Sequence, residues 1–407
     1  MSIAKLAARN LVRNRRRTLL TGIAVIAGVG IYIVGEGLLS GLDENIIVSA
    51  IDGTVGHVMA LPKDYPRQPL QHPIDELLEV TPQARALLDR ETVAWTERIY
   101  FAPLAASGQE SMRVVAIGYD PERDERVFPR KLWKVMGELP RPDAQEVAVS
   151  HRVARLLQLE PGKRLILQIR THRGAINALD VGVSAVITAN NNAIDMLGIL
   201  VPRALAQTLV ASDRPSHVSV RLGSRSDADA FAPKLTAALG GSAEVVTWRD
   251  ETADLLRIQA IRRQALSFLV FILMALAAFS IANTILMAAR ERVREVGTLR
   301  SMGMTEGGVL SLFLLEGSLI GFFGGLLGAL WGGGLIAYWS MNPINFSREM
   351  EKMGHSLSFS ALVYTRFSLG ALAVAAVLGL VISVLASIYP ARVASRMVPA
   401  DAVRADT

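Results

Sequence analysis

The sequence predicts an α-helical membrane protein with four transmembrane helices and a large α+β extracytoplasmic domain inserted between helices 1 and 2. Three observations predict it. Four apolar stretches each reach the roughly 20 residues that a helix needs to cross a bilayer core. Basic clusters abut them: Lys5, Arg9, Arg13, Arg15, Arg16 and Arg17 precede the first, and Arg392, Arg396 and Arg404 follow the last, which orients both termini to the cytoplasm. Residues 45–249, between the first two stretches, have the mixed composition of a soluble protein. With 407 residues, 51% of them hydrophobic, the chain has material for both parts.

The elements follow in order. Residues 1–17 place Ile3, Leu6, Ala7, Leu11 and Asn14 at helical spacing away from Lys5, Arg9, Arg13 and Arg16, the pattern of an amphipathic cytoplasmic helix on the inner leaflet. Residues 18–44 are the first span and a stalk, because a helix regular past Glu36 projects beyond the bilayer. Glu36 is then either an outer-interface charge or a buried functional carboxylate. In residues 45–249, strand patterns fall at 57–61, 113–117, 164–169, 181–187 and 217–221. Helical patterns fall at 75–89, 150–159, 202–209 and 227–239. The proline-rich residues 121–142 are the expected junction of two subdomains.

Residues 250–289 form a second stalk and span, with Leu255, Ile258, Ile261 and Leu266 along one side and no charge in 267–289. Residues 290–307 are a short basic element at the cytoplasmic face, and residues 308–339 are the third span. In that span Gly321 and Gly325, and Gly324 and Gly328, recur at four-residue spacing, which lets helix backbones approach closely. Glu316 near its start either bonds the basic element or snorkels to the interface. Residues 340–366 are an external loop, 367–389 the fourth span stopped by Pro390, and 390–407 a cytoplasmic tail.

Several chemistries are missing. There is no cysteine, hence no disulfide or thiolate chemistry. No phosphate loop, His-Glu-x-x-His or Gly-x-Ser-x-Gly pattern occurs, and six histidines are scattered without metal-ligand spacing. The spans lack a series of ionisable groups for an ion pathway. The chain is therefore expected to be no enzyme and to bind no cofactor or metal, with energy supplied from elsewhere. The net charge of +6 gathers at membrane exits, so lipid headgroups are expected partners and nucleic acid is not.

The segment Ala289-Arg-Glu-Arg-Val-Arg-Glu-Val-Gly-Thr-Leu-Arg-Ser-Met-Gly303 resembles the signature of FtsX/MacB/LolCE-type ABC transporter permeases. Glu316-Gly317 with its Gly-rich helix, the ending Tyr389-Pro-Ala-Arg392 and Val398-Pro-Ala-Asp-Ala-Val-Arg404, and the opening Ala8-Arg-Asn-Leu-Val-Arg-Asn-Arg-Arg-Arg-Thr-Leu-Leu20 are similar to the same family. The resemblance implies a multi-pass protein of the bacterial inner membrane. It implies a pair of permeases, a second copy or a homologous chain, seated on a cytoplasmic ABC ATPase dimer that carries the ATP and Mg. Arg290, Glu291, Arg292, Arg294, Glu295, Gly297, Arg300 and Gly303 would couple to that ATPase, with Gly297 and Gly303 setting the ends of the element. An amphiphile of the outer leaflet would be taken up between Ile31, Val34, Leu38 and Leu39 on one side and Phe268 and Phe271 on the other.

No ATPase is fused in this sequence, unlike the macrolide-exporter branch, and the external domain is larger than in the cell-division branch. Gly53-Thr-Val-Gly-His57 and Asp64-Tyr65 look most like the lipoprotein-release permeases. The hairpin at 169–180 has only a short tip around His172-Arg173-Gly174 where one such permease carries a chaperone-docking hook, so a periplasmic chaperone partner stays open. A signalling permease acting on an external partner such as a cell-wall hydrolase, a MacB-like efflux component and an anchored binding module are the alternatives.

Overall fold

A computed structural model of the chain describes residues 3–66, 70, 72–75, 77–131, 133–171, 174–189, 191–241, 243–345 and 362–396. The hairpin tip at His172-Arg173, most of the loop expected at 340–366 and the motif from Val398 to Arg404 lie outside the described residues.

In chain order the elements begin with α1 (Ile3–Arg13), α2 (Arg15–Ala50, prolonged by a π-turn over Ile51–Val55), β1 (Val58–Pro62), α3 (Pro82–Glu91), β2 (Ala94–Phe101), β3 (Leu104–Ser107), β4 (Glu110–Arg113) and β5 (Val115–Tyr119). Next come α4 (Pro121–Val127), β6 (Lys134–Gly137), β7 (Glu146–Ser150), α5 (His151–Leu156), β8 (Arg164–Arg170), β9 (Ile176–Thr188), α6 (Asn192–Leu197), β10 (Gly198–Pro202), α7 (Arg203–Val210) and β11 (His217–Arg221). The chain closes with α8 (Ala228–Ala238), β12 (Ala243–Thr247), α9 (Trp248–Glu251), α10 (Ala253–Glu291), α11 (Val293–Ser301), α12 (Glu306–Met341) and α13 (Leu369–Ser395). Two compact units result: residues 1–42 with 258–344 and 363–407, and residues 43–257 with 345–362.

The first unit is helical. The helices α2, α10, α12 and α13 are long and apolar enough to cross a membrane. The glycines of α12 serve two neighbours. A Cβ on Gly325 would lie 2.9 Å from the Ala376 carbonyl oxygen of α13, and one on Gly328 would lie 2.8 Å from the Ile26 carbonyl oxygen of α2. Gly321 faces Ser383 of α13 and Gly324 faces Val25 of α2 in the same way. Backbone atoms cannot rotate aside, so Gly328→Val forces α2 and α12 apart. The expected cost is about 1–3 kcal/mol, read as a lower melting temperature of the full chain in nanodiscs. An unchanged melting temperature would show that the two helices do not need this approach.

One expectation for the helices needs correction. Pro390 does not stop the last helix, which continues to Ser395 with Pro390 inside it. Proline withdraws one donor, from the Ala386 carbonyl, but Ala391 and Ala394 are buried in one apolar cluster with Val296 and Val309, and that packing carries the helix on. On α10, Ile258 and Ile261 are 47% and 67% exposed, while Leu266 packs against the apolar cluster of the helical unit.

The second unit is α+β. Among the described residues, twelve strands form one sheet with the order β12-β1-β11-β2-β5-β10-β7-β9-β8-β3-β4, and β6 pairs with β9. Strand β2 is the hinge of this order: residues 94–98 pair with β11 and residues 99–101 pair with β5. Phe101, Val149, Leu167, Val183 and Leu209 fill one core, and Leu88, Val220, Phe231 and Leu235 fill another beneath α3 and α8. The expected junction at 121–142 is built into this body as α4 and β6. Pro121 opens a helix, with Asp120 accepting from the Glu122 and Arg123 amides, because a missing N–H costs nothing in a first turn. Pro82 does the same after Thr81, which is why the helix expected at 75–89 begins only there.

His217 is buried beside Tyr100, Tyr65 and Ser216. Burial, then His72 and Arg98, lower its pKa to about 3. The unfolded chain therefore takes up a proton below about pH 6.5 that the folded chain refuses until about pH 3. Stability is full above that window and falls through it, by about 2 kcal/mol at pH 5. The melting-temperature advantage of the parent over His217→Asn should narrow between pH 7.5 and pH 5.0. An advantage independent of pH would contradict a neutral buried imidazole.

Candidate coupling site

The basic element between α10 and α12 is a helical hairpin with a short helix at its turn. The chain leaves helical geometry at Arg292 (φ −110°, ψ 18°), then forms the nine-residue α11. Gly303, at φ +98°, reverses the chain, with its N–H donated to the Arg300 carbonyl at 3.0 Å. Thr305 then caps α12 by accepting from the Gly308 amide at 3.2 Å. Gly303 thus lies at an end of the element, whereas Gly297 is buried within α11 and sets no end.

A buried polar cluster anchors this hairpin. Arg292 is 6% exposed and donates to Glu316 Oε1 at 3.0 Å. Asn10 Nδ2 donates to the same oxygen at 2.7 Å, and Arg292 donates to the Asn10 carbonyl at 3.4 Å. With its amide oxygen turned toward them, Asn14 accepts from Arg292 at 2.9 Å and Arg17 at 3.2 Å. Glu316 therefore bonds the coupling element. Arg292, expected as a contact for a partner, is an interior anchor instead: a guanidinium this deeply desolvated has to be met by a carboxylate.

More peripheral pairs repeat the arrangement. Arg13 donates to both oxygens of Glu295 at 2.8 and 2.9 Å and holds that carboxyl below its ordinary range. Arg17 pairs with Glu291 at 3.1 Å. Arg300 reaches Glu306 at 3.1 Å and the Ser395 carbonyl at 3.3 Å. The alternation of Arg and Glu is thus largely satisfied within the chain. Arg290, Arg294 and Met302 are exposed, Met302 at 80%.

The helix α1 holds the element from the side. It bends away from α2 at Asn14, where the Leu11 carbonyl accepts from Thr18 Oγ1 and the Val12 carbonyl from Arg15 Nε, both at 3.2 Å. Ala7 and Asn10 are buried, so one face of α1 is spent on protein contact. Sequence reasoning placed α1 on a lipid surface and missed Asn10, Arg13 and Arg17 as partners. The signal available was an asparagine on an otherwise apolar helical face.

The expected substrate-access residues lie on α2 and α10. Phe268 and Phe271 are 66% and 68% exposed, Ile31 is 38% exposed, and Val34, Leu38 and Leu39 are half-buried. Phe268 lines a surface cavity of about 570 Å³ with Ile261, Gln264, Ala265 and Ser267. Glu36 accepts from Ser40 Oγ at 3.0 Å and pairs with Arg263 at 3.3 Å.

Residues 18–238 match the MacB-like periplasmic core domain, and residues 267–399 match the FtsX-like permease C-terminal domain. The chain is similar to the lipoprotein-releasing system transmembrane protein LolC of Xylella fastidiosa (strain 9a5c), at 22% identity over 94% of this chain and 92% of that protein. It is also similar to the macrolide export ATP-binding/permease protein MacB of Nitrosomonas europaea, at 32% identity over 31% of this chain and 16% of that one. Among solved structures, the periplasmic region of MacB from Actinobacillus actinomycetemcomitans covers 51% of this chain and 94% of its own, at 13% identity and a TM-score of 0.36. The chain belongs to the ABC transporter permeases that join a MacB-like periplasmic core domain to an FtsX-like permease domain.

Proposed function

We propose that this chain is the non-catalytic permease subunit of an ABC transporter driven by a separate cytoplasmic ATPase, and that it extracts lipoproteins or a similar amphiphile from the outer leaflet of the inner membrane. The observation that carries the reading is α11: a short helix between two spans, locked by the Arg292–Glu316–Asn10 cluster, with Arg290, Arg294 and Met302 left at the surface. A rigid, partly cationic knob between spans is what a partner needs in order to push on both at once. ATP and Mg would sit on that partner, and both termini would lie on the same side as α11, where the basic residues gather. A second permease, identical or homologous, would complete the assembly, and the likeness to LolC across nearly the whole chain favours a lipoprotein substrate. Ile31, Val34, Leu38, Leu39, Phe268 and Phe271 would form its path, with exposed phenylalanines suited to acyl chains.

The test is affinity purification of the tagged chain in mild detergent beside Arg290→Glu/Arg294→Glu. An ATPase should accompany the parent and fall at least about tenfold in the variant, as expected when two cations at an interface are reversed. Reconstituted vesicles should then lose bound lipoprotein only with ATP. If no ATPase accompanies the parent in several detergents, the reading fails.

A further inference from the structure

The core of the α+β unit packs against one face of β3, β4, β8 and β9. Along β8, Leu165, Leu167 and Ile169 are buried while Arg164, Ile166, Gln168 and Arg170 are exposed, because side chains alternate across a strand. Leu104 of β3 stands opposite Arg113 of β4 and Gln168 of β8, and Arg170 stands opposite Ile176 of β9. Arg113, Leu104, Gln168, Arg170 and Ile176 therefore share the face that the core does not use.

A cavity of about 750 Å³ lies between this face and a cover that includes Pro66, Leu70, His72, Ile74 and Asp75. That volume falls within the range of about 300–1,000 Å³ that single small ligands occupy. The cover is fastened on both sides. The Tyr65 hydroxyl lies 3.3 Å from His72 Nδ1, and the His72 and Tyr100 ring centroids are 5.5 Å apart. Ile74 is buried in the core with Phe101 and Leu167, and the Leu78 N–H donates to the Pro215 carbonyl at 2.7 Å. Polar groups in the lining are left unmatched. Among the described residues, the side chains of Arg113, Gln168 and Thr171 make no hydrogen bond or ion pair, and Arg170 donates only to the Gly174 carbonyl at 3.4 Å. Thr171 is 7% exposed, and a buried hydroxyl without a partner is costly. Beside these donors, Leu104 and Ile176 are 37% and 72% exposed. Among the described residues, two guanidinium groups and one carboxylate, that of Asp75, line the space.

We propose that this cavity binds a small anionic amphiphile, an apolar chain carrying one carboxylate. Arg113 and Gln168 each stand one strand spacing, about 4.8 Å, from Leu104, so a carboxylate above Leu104 is within reach of both. Arg113 offers it parallel N–H donors for both oxygens, and Gln168 adds an amide donor. The chain lies on Leu104 and Ile176 beneath Leu70 and Ile74, and removes their apolar surface from water. A bare inorganic anion would leave that surface wet, and a neutral chain would leave the cations unmatched. The site goes beyond the permease reading: it lies wholly in the α+β unit, and its occupancy needs neither the ATPase nor the path between the spans.

The probe is a decanoate analogue with a photoreactive diazirine, cross-linked to the full chain in nanodiscs and mapped by peptide mass spectrometry. Cross-links within residues 267–289 report partition into the bilayer and serve as the internal reference. Relative to them, labelling of peptides containing Ile74, Leu104 or Ile176 should fall at least about tenfold in Arg113→Glu, which sets a like charge against the carboxylate. Gln168→Trp, which fills the space, should give a similar loss. Both positions are exposed and outside the core, so neither change endangers folding. Excess decanoate should compete, whereas decyltrimethylammonium should leave the labelling within about twofold. Absence of cross-links at these peptides overturns the site. Loss in Gln168→Trp without loss in Arg113→Glu, or equal competition by the cation, shows an apolar crevice that does not select an anion and also overturns it. Undiminished labelling in both variants places the probe elsewhere, with the same consequence. None of these outcomes bears on whether an ATPase accompanies the chain, so failure here and failure of the permease reading are told apart.

Discussion

Glu316→Ala should release α11 from the helical unit at a cost of about 3–5 kcal/mol, because it strands a buried guanidinium. A guanidinium stripped of its carboxylate must find water or another partner, so the penalty appears as structural opening. The expected result is rapid hydrogen exchange over residues 293–301 and a clearly lowered melting temperature of the full chain in nanodiscs. Glu295→Gln supplies the contrast. Its pair with Arg13 is about half exposed on both sides, and such pairs are worth about 0.2–1 kcal/mol. Arg292→Met/Glu316→Leu should recover most of the lost stability, since it removes both charges together. Equal losses for Glu316→Ala and Glu295→Gln would mean that the buried cluster does not anchor α11.

Asp124→Ala should be the most damaging single change in the α+β unit, again by about 3–5 kcal/mol. It leaves Arg98 and Arg130 facing each other without the carboxylate that joins them. Burial opposes the charge on Arg98, but Asp124 and Tyr100 outweigh it and hold the guanidinium above its ordinary value. Tyr119 cannot substitute as an anion, because burial above all pushes its phenol up to about 12. Trp95, Trp133 and Trp248 lie in this unit and report its unfolding by fluorescence. The full chain with Asp124→Ala should melt roughly 6–20 °C lower at neutral pH, given about 2–4 °C per kcal/mol for a unit of this size. A drop of a degree or two would show that water reaches the cluster and that its charges are not truly buried.

Chemistry contained in one stretch of chain is legible from that stretch. Apolar runs of bilayer length can do little but form helices, so the four spans and the inserted α+β domain were legible from composition and periodicity. Strands such as His217–Arg221 were legible from alternation. The glycine spacing of α12 was visible too, because helical periodicity alone puts Gly321 and Gly325 on one face and Gly324 and Gly328 on another. Local signals misled where one residue type serves two purposes. Proline reads as a stop or a boundary, yet Pro390 sits inside a helix and Pro121 starts one. A run of arginines and glutamates reads as a solvated contact surface, yet Arg292 is interior.

Four spans, a domain inserted after the first, and a charged element between the second and third follow from local composition and periodicity. Which charge meets which depends on how the elements pack. Asn10 and Glu316 are 306 residues apart, and Gly53 and Arg98 belong to different elements. Pairing across such separations depends on which faces the helices and strands bury against one another. That choice is made by the summed packing of many side chains, and no single segment carries it.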